Sequence, residues 1–157
     1  MTATSLYQGI ESIQCDLRIH RAEDLAAKDR SLLNRRESSD PYVEVWMNLP
    51  TQQIGKTTTV RRTLEPTYDQ SFQMKWNKKS MSRCLSSRHR AKIVLKVWDE
   101  DKLKADDAMG EVEIPLPLPD ETLQISEQWV SIDPTSANHA RGRLLVSLRV
   151  KYQKSDE

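Results

Sequence analysis

The stretch "KIVLKVWDEDKLKADDAMGEVEIPL", residues 92–116, sets two alternating apolar segments on either side of a densely acidic one. Ile93, Leu95 and Val97 alternate with Lys92, Val94 and Lys96, and Val112 and Ile114 alternate with Glu111 and Glu113. A period of two is the signature of a strand with one buried face, so the stretch reads as two strands joined by an acidic connection.

The same alternation recurs along the chain. It marks residues 13–20, where Ile13, Cys15, Leu17 and Ile19 interleave with polar residues, and "YVEVWM" (42–47), "KTTTVRR" (56–62), "SFQMKW" (71–76), "QWVSI" (128–132) and "RLLVSLRVKY" (143–152). With 92–98 and 110–116 this makes eight expected strands. The best helical pattern, "RSLLNRRESS" (30–39), is short and uncapped. Many short strands without intervening helices predict an all-β antiparallel sandwich. The connections "NLPTQQIG" (48–55), "PLPLPDETLQISE" (115–127) and "NKKSMSRCLSSRHRA" (77–91) read as a turn, a proline-interrupted loop and a basic loop.

Composition narrows the function classes. At 157 residues the chain is expected to be one domain with its core at about 13–152, and 24 Lys+Arg against 23 Asp+Glu exclude global electrostatic steering toward nucleic acid. Basic "RCLSSRHR" and "RGRLL" lack the interleaved aromatics of a nucleic-acid surface. Two cysteines, Cys15 and Cys84, make neither a disulfide framework nor a paired zinc site, and Cys84 with His89 falls short of four zinc ligands. His20 and His139 have no evident partners in the sequence. No basic segment followed by an apolar one opens the chain, and no segment approaches the roughly 18 apolar residues of a membrane span. The expectation is an intracellular, cytoplasmic protein whose membrane contact is peripheral.

The acidic connection carries the chemistry. On a continuing strand Asp99 and Asp101, two residues apart, aim at one side, and Asp107 adds a third carboxylate. Such a group repels itself unless a cation is present, and oxygen-only ligands favour a hard ion such as Ca2+. The EF-hand loop is excluded, because counting from Asp99 puts Leu103, Lys104 and Gly110 at its fifth, sixth and twelfth positions. Asp29 and Asp40 form a second acidic group in "AEDLAAKDRSLLNRRESSDPYVEVW" (22–46).

The ordered motifs "AEDLAAKD", "SDPYVEVW", "KTTTVRRTLEPTYDQSF" and the D-x-D, five residues, D-x-M-G of Asp99, Asp101, Asp107, Met109 and Gly110 resemble the C2 domain, a calcium-dependent phospholipid-binding β-sandwich. The resemblance covers roughly residues 13–152. It implies that loops 29–40, 64–70 and 99–107 meet at one end and that Asp29, Asp40, Asp99, Asp101 and Asp107 hold two or three Ca2+ ions. "RSLLNRRES" lengthens the first loop beyond the family's usual span, which leaves Glu37 as an alternative to Asp29. The C-terminal "RGRLLVSLRVKY" resembles the strand that comes first in the other permutation of this fold, which implies the type II topology.

The resemblance also implies membrane-contacting tips: Leu32, Leu33, Arg35 and Arg36 in the first loop, with Arg30 beside them, and Lys102, Leu103 and Lys104 in the third. "SLLNRR" reads equally as a helical turn folded into the core. A basic lipid patch on the family's third and fourth strands is matched by Lys56 and Lys75 but has Thr58 and Asn77 where lysines are expected. Lys56, Arg62, Lys75 and Lys78, with Lys79, are thus either that patch or a solvated basic face. Trp46, Trp76, Trp98 and Trp129 are expected to pack on strands.

The implied function is Ca2+-dependent binding to an anionic membrane, through phosphatidylserine or a phosphoinositide, that targets the domain or a parent protein. A Ca2+-independent protein-interaction domain is the alternative. No nucleophile-base pair or phosphate loop accompanies the acidic pair, so no enzymatic activity is expected.

Overall fold

The computed structural model describes residues 7–30, 37–82, 90–118 and 124–155. Its strands are β1 (Ile10–Glu23), β2 (Asp29–Arg30), β3 (Glu37–Ser38), β4 (Pro41–Met47), β5 (Gln52–Lys56), β6 (Thr67–Trp76), β7 (Lys92–Asp99), β8 (Asp107–Pro115), β9 (Gln124–Ser131) and β10 (Arg143–Lys154), with one helical turn, α1 (Lys78–Met81), after β6. Eight of the strands form two antiparallel four-stranded sheets, in the orders β6-β1-β10-β9 and β5-β4-β7-β8, while β2 and β3 make a separate two-stranded ribbon. The final strand lies between the first and the penultimate, which is the arrangement the type II permutation requires.

The alternation seen in the sequence is the burial pattern of the sandwich. Ile13, Leu17 and Ile19 of β1, Val43 and Val45 of β4, and Ile93 and Leu95 of β7 are fully buried between the sheets. Each contributes about 1.5–3 kcal/mol relative to an exposed position. Cys15 belongs to this core, and burial pushes its thiol up to about 12, so it stays a protonated, unreactive packing group. Trp76 is also fully buried and donates its indole N–H to the Asn48 carbonyl at 3.0 Å. Asn48 in turn accepts from the Lys92 amide at 2.9 Å and donates to the Arg90 carbonyl at 2.8 Å, which fixes the end of the sandwich opposite the acidic loops.

Two sequence expectations shift. The third strand is Gln52–Lys56, not 56–62, and "NLPTQQIG" is a turn only over 48–51. Beyond Lys56 side chains join the backbone in bonding: the Thr57 and Val60 amides still donate to the Val43 and Pro41 carbonyls at 2.8 and 3.1 Å, while Thr57 Oγ1 accepts from the Val43 amide at 2.9 Å and Gln70 Oε1 from the Thr58 amide at 2.8 Å. The Thr-rich segment thus stays bonded to β4 without the regular pairing of a strand. The basic loop after β6 opens with α1, capped by Asn77, whose Oδ1 accepts from the Ser80 amide at 2.9 Å.

The D-x-M-G motif lies inside β8 rather than in the loop before it. Val97 pairs with Gly110 and Trp98 with Ala108, so Met109 is the extra residue of a bulge. Met109 is fully buried, and Gly110 has φ +126, where a Cβ would lie 2.4 Å from Ile132 Cγ2.

Candidate calcium and membrane site at the loop end

Register places the acidic residues. Pro41 pairs with Asp99 and Asp99 with Asp107, so the start of β4, the end of β7 and the start of β8 lie side by side. The loops between β1 and β4, β5 and β6, and β7 and β8 emerge together. They are tied by Thr63 N–H to the Ser39 carbonyl at 2.9 Å, Leu25 N–H to the Leu64 carbonyl at 3.3 Å and Glu100 N–H to the Asp40 carbonyl at 2.9 Å. The connection between β9 and β10 joins this end, because Lys28 Nζ donates to the Asn138 carbonyl at 2.7 Å.

Within this end a backbone amide holds one oxygen of each of several carboxylates. Asp99, 1% exposed, accepts from the Asp40 amide at 2.8 Å. Asp40 accepts from the Arg62 amide at 2.7 Å, and Asp101 from the Leu103 amide at 2.9 Å. These bonds orient the carboxylates without neutralising them. The Lys104 ammonium lies 3.9 Å from carboxylate oxygens of both Asp101 and Asp107, so a side-chain cation stands between two of the expected ligands. Among the described residues no three His, Cys, Asp or Glu side chains converge on one ion-sized point.

The strand geometry expected for Asp99 and Asp101 does not hold. β7 ends at Asp99; the Glu100 amide makes one more bond in the same register, to the Asp40 carbonyl, and Asp101 then begins a turn closed by its own side chain. That turn is organised by Asp106, to which the sequence assigned no role. Asp106 accepts from the Asp101 amide at 2.9 Å and from the Tyr42 hydroxyl at 2.5 Å. The amide first, and the phenol second, hold the Asp106 carboxyl below the usual carboxylate range. Burial first, and Asp106 second, push the Tyr42 phenol up. A bond from the first residues of β4 to the far side of the acidic loop has no local sequence signature.

The remaining candidates separate. Asp29 pairs with Ser38 across the β2-β3 ribbon, which returns the long first loop to within two residues of Asp40. Lys102, Leu103 and Lys104 are exposed at the loop tip, and Leu103 is 97% exposed. Leu32, Leu33, Arg35 and Arg36 lie outside the described residues, as do Cys84 and His89. The basic residues fall on different elements: Lys56 is on β5 in one sheet, Lys75 on β6 in the other, Arg62 in the loop before β6 and Lys78 in α1. Lys56 instead stacks over the Tyr42 ring, 5.5 Å from its centroid. His20, without an evident partner in the sequence, meets the Ser147 hydroxyl at 2.6 Å.

The family model described as C2 domain matches residues 14–132. The chain belongs to the C2 domain family. Curated relatives include the mouse E3 ubiquitin-protein ligase NEDD4, 33% identical over 122 residues that cover 75% of this chain and 13% of that protein. Human synaptotagmin-7 is 31% identical over 135 residues, covering 84% of this chain and 30% of that protein. The chain therefore spans only a minor part of the relatives it matches. Among solved structures, the paired, calcium-bound C2 domains of extended synaptotagmin 2 superpose with a TM-score of 0.66 at 18% identity, covering 92% of this C2 domain and 46% of that chain. Human GIVD cytosolic phospholipase A2 superposes with a TM-score of 0.64 at 21% identity, covering 92% and 18%. These likenesses establish the fold.

Proposed function

We propose that this C2 domain is a non-enzymatic, Ca2+-dependent membrane-docking module that carries itself, or a larger protein containing it, from the cytoplasm to an anionic bilayer. The observation that supports this most is the joining of two features in one loop. Asp99, Asp101 and Asp107 flank a tip in which Leu103 is 97% exposed between two lysines.

The donor set suits the ion. Asp40, Asp99, Asp101 and Asp107 offer oxygen alone, with no soft ligand among them, and Asp29 enters the same end through the β2-β3 ribbon. Carboxylates and carbonyls in flexible loops match the six to eight oxygens that Ca2+ accepts. When bound, Ca2+ supplies positive charge against these carboxylates and coordination positions that lipid oxygens can complete.

The chain's own residues do the rest. Amides of Asp40, Arg62 and Leu103 fix one oxygen of each of three carboxylates. Lys104, now 3.9 Å from Asp101 and Asp107, leaves them when an ion enters and turns to the anionic surface. Burying Leu103 in the bilayer adds about 1.5–3 kcal/mol, and Lys102 and Lys104 about 1 kcal/mol each on an anionic surface. Co-sedimentation with phosphatidylserine vesicles tests the reading: binding in Ca2+ that disappears in chelator is expected, and equal binding in both would overturn it.

A further inference from the structure

The outer face of the β5-β4-β7-β8 sheet carries apolar side chains that the core does not use. Val43 and Val45 of β4 and Leu95 and Val97 of β7 are buried inward, so Tyr42, Glu44 and Trp46 on one strand and Val94, Lys96 and Trp98 on the other point outward. Trp46, Trp98 and Val94 are half-buried and lie outside the core cluster. Glu44 braces the two tryptophans: its Oε1 accepts from the Trp98 indole at 2.7 Å and from the Trp46 indole at 3.3 Å, and its Oε2 accepts from Gln53 at 3.2 Å. Tryptophans held in place on an outer face, with charged residues on the strands at either side, match a protein interface with an apolar centre and a polar rim.

Register sorts this face into three rows. The middle row reads Lys56, Glu44, Lys96, Glu111 across the four strands, cation and anion in alternation. In the row nearer the loop end Tyr42 stands beside Trp98, and in the row farther from it Gln53, Trp46, Val94 and Glu113 line up. Among the described residues Lys56, Lys96 and Glu111 make no ion pair. The two lysines lie over the Tyr42 and Trp46 rings, 5.5 and 4.6 Å from their centroids.

A row of charges in that order complements its own reverse. Rotated about a two-fold axis parallel to the strands and midway between β4 and β7, a second copy presents the row as Glu111, Lys96, Glu44, Lys56 against the first. Lys56 then meets Glu111 of the second copy and Glu44 meets its Lys96, and symmetry makes each pair twice. In the rows beside, Trp46 meets Val94, Tyr42 meets Trp98 and Gln53 meets Glu113. A two-fold axis across the strands through the same row sets Lys56 on Lys56 and Glu44 on Glu44, so charge selects the first arrangement. Four strands by the eight residues of β7 cover roughly 500 Å2 per copy at strand and residue spacings of about 4.8 and 3.4 Å. The pair of faces thus buries about 1,000 Å2, the size of an interface that forms and dissociates readily.

We propose that this face docks a second copy of the chain in a reversible two-fold dimer, with Trp46, Trp98 and the row of Lys56, Glu44, Lys96 and Glu111 at its centre. Because the axis runs along the strands, the loop ends of both copies point the same way and face one surface together. The dimer does not rest on the calcium reading.

Sedimentation equilibrium of the domain in chelator, from about 1 µM to about 300 µM, tests the proposal apart from calcium. A dimer with a Kd on the order of 10 µM is expected. Lys56→Glu and Glu111→Lys each set like charges opposite one another, and each alone is expected to weaken association about tenfold or more. Mixed in equal amounts, the two variants restore every opposite pair between unlike copies, and the mixture is expected to dimerise as the wild type does. Lys56 is exposed and Glu111 half-buried, and unchanged melting temperatures confirm that both variants fold. A monomer at about 300 µM would overturn the second copy and leave a different protein as the occupant. A dimer that both single variants leave unchanged would overturn this face, and a mixture no stronger than the single variants would overturn this axis.

Discussion

The Asp40 amide donates to Asp99 Oδ1 at 2.8 Å, joining positions 59 residues apart. Asp99 is 1% exposed, so this carboxylate is part of the fold as well as part of the candidate site. Asp99→Ala leaves the Asp40 amide without its acceptor and is expected to cost about 2–3 kcal/mol in urea unfolding. Asp99→Asn keeps a carbonyl oxygen and is expected to cost less than about 1 kcal/mol. Equal losses would show that the bond does not hold the loops.

The bond between Tyr42 and Asp106 sets a pH dependence. Because the native Asp106 carboxyl lies below its ordinary range, its contribution to stability is complete above about pH 4 and is lost as pH falls through the lowered native value. Tyr42→Phe removes one of the two donors. It is expected to raise the Asp106 pKa in an NMR titration and to cost about 1 kcal/mol; an unmoved pKa would contradict the assignment.

Gly110 tests the bulge. With φ +126 and a Cβ position 2.4 Å from Ile132 Cγ2, Gly110→Ala combines backbone strain with overpacking. A loss of about 3 kcal/mol is expected, read as a fall in Tm of roughly 6–12 °C. A wild-type Tm would mean that the motif's glycine is not required by the bulge.

Leu103 separates docking from folding. Its side chain is 97% exposed, so Leu103→Asp should leave stability within about 0.5 kcal/mol. Vesicle affinity in Ca2+ should fall about tenfold or more with the loss of its burial in lipid. Unchanged affinity would remove this tip from the docking surface.

The strands were legible because burial on one face repeats every second residue: Ile13 to Ile19, Val43 to Met47 and Ile93 to Val97 follow the rule without a break. The rule fails where pairing becomes irregular and side chains such as Thr57 and Gln70 share in the backbone bonding beyond Lys56. It fails again after Asp99, where the chain leaves the ladder for a turn held by Asp106. The acidic end was legible because carboxylates are costly to crowd without a counter-charge. The separation of Lys56 and Lys75 onto different sheets, and the row that Lys56 and Glu44 join with Lys96 and Glu111, depend on register between strands far apart in sequence.

The central claim is that the loop-end carboxylates make membrane binding respond to calcium. The most direct measurement compares wild type with Asp99→Asn/Asp101→Asn in sedimentation with phosphatidylserine vesicles across a Ca2+ titration, after unfolding curves confirm that the variant is folded. The account predicts Ca2+-dependent sedimentation of the wild type and its loss in the variant. Calcium-dependent sedimentation of the variant equal to that of the wild type would contradict it.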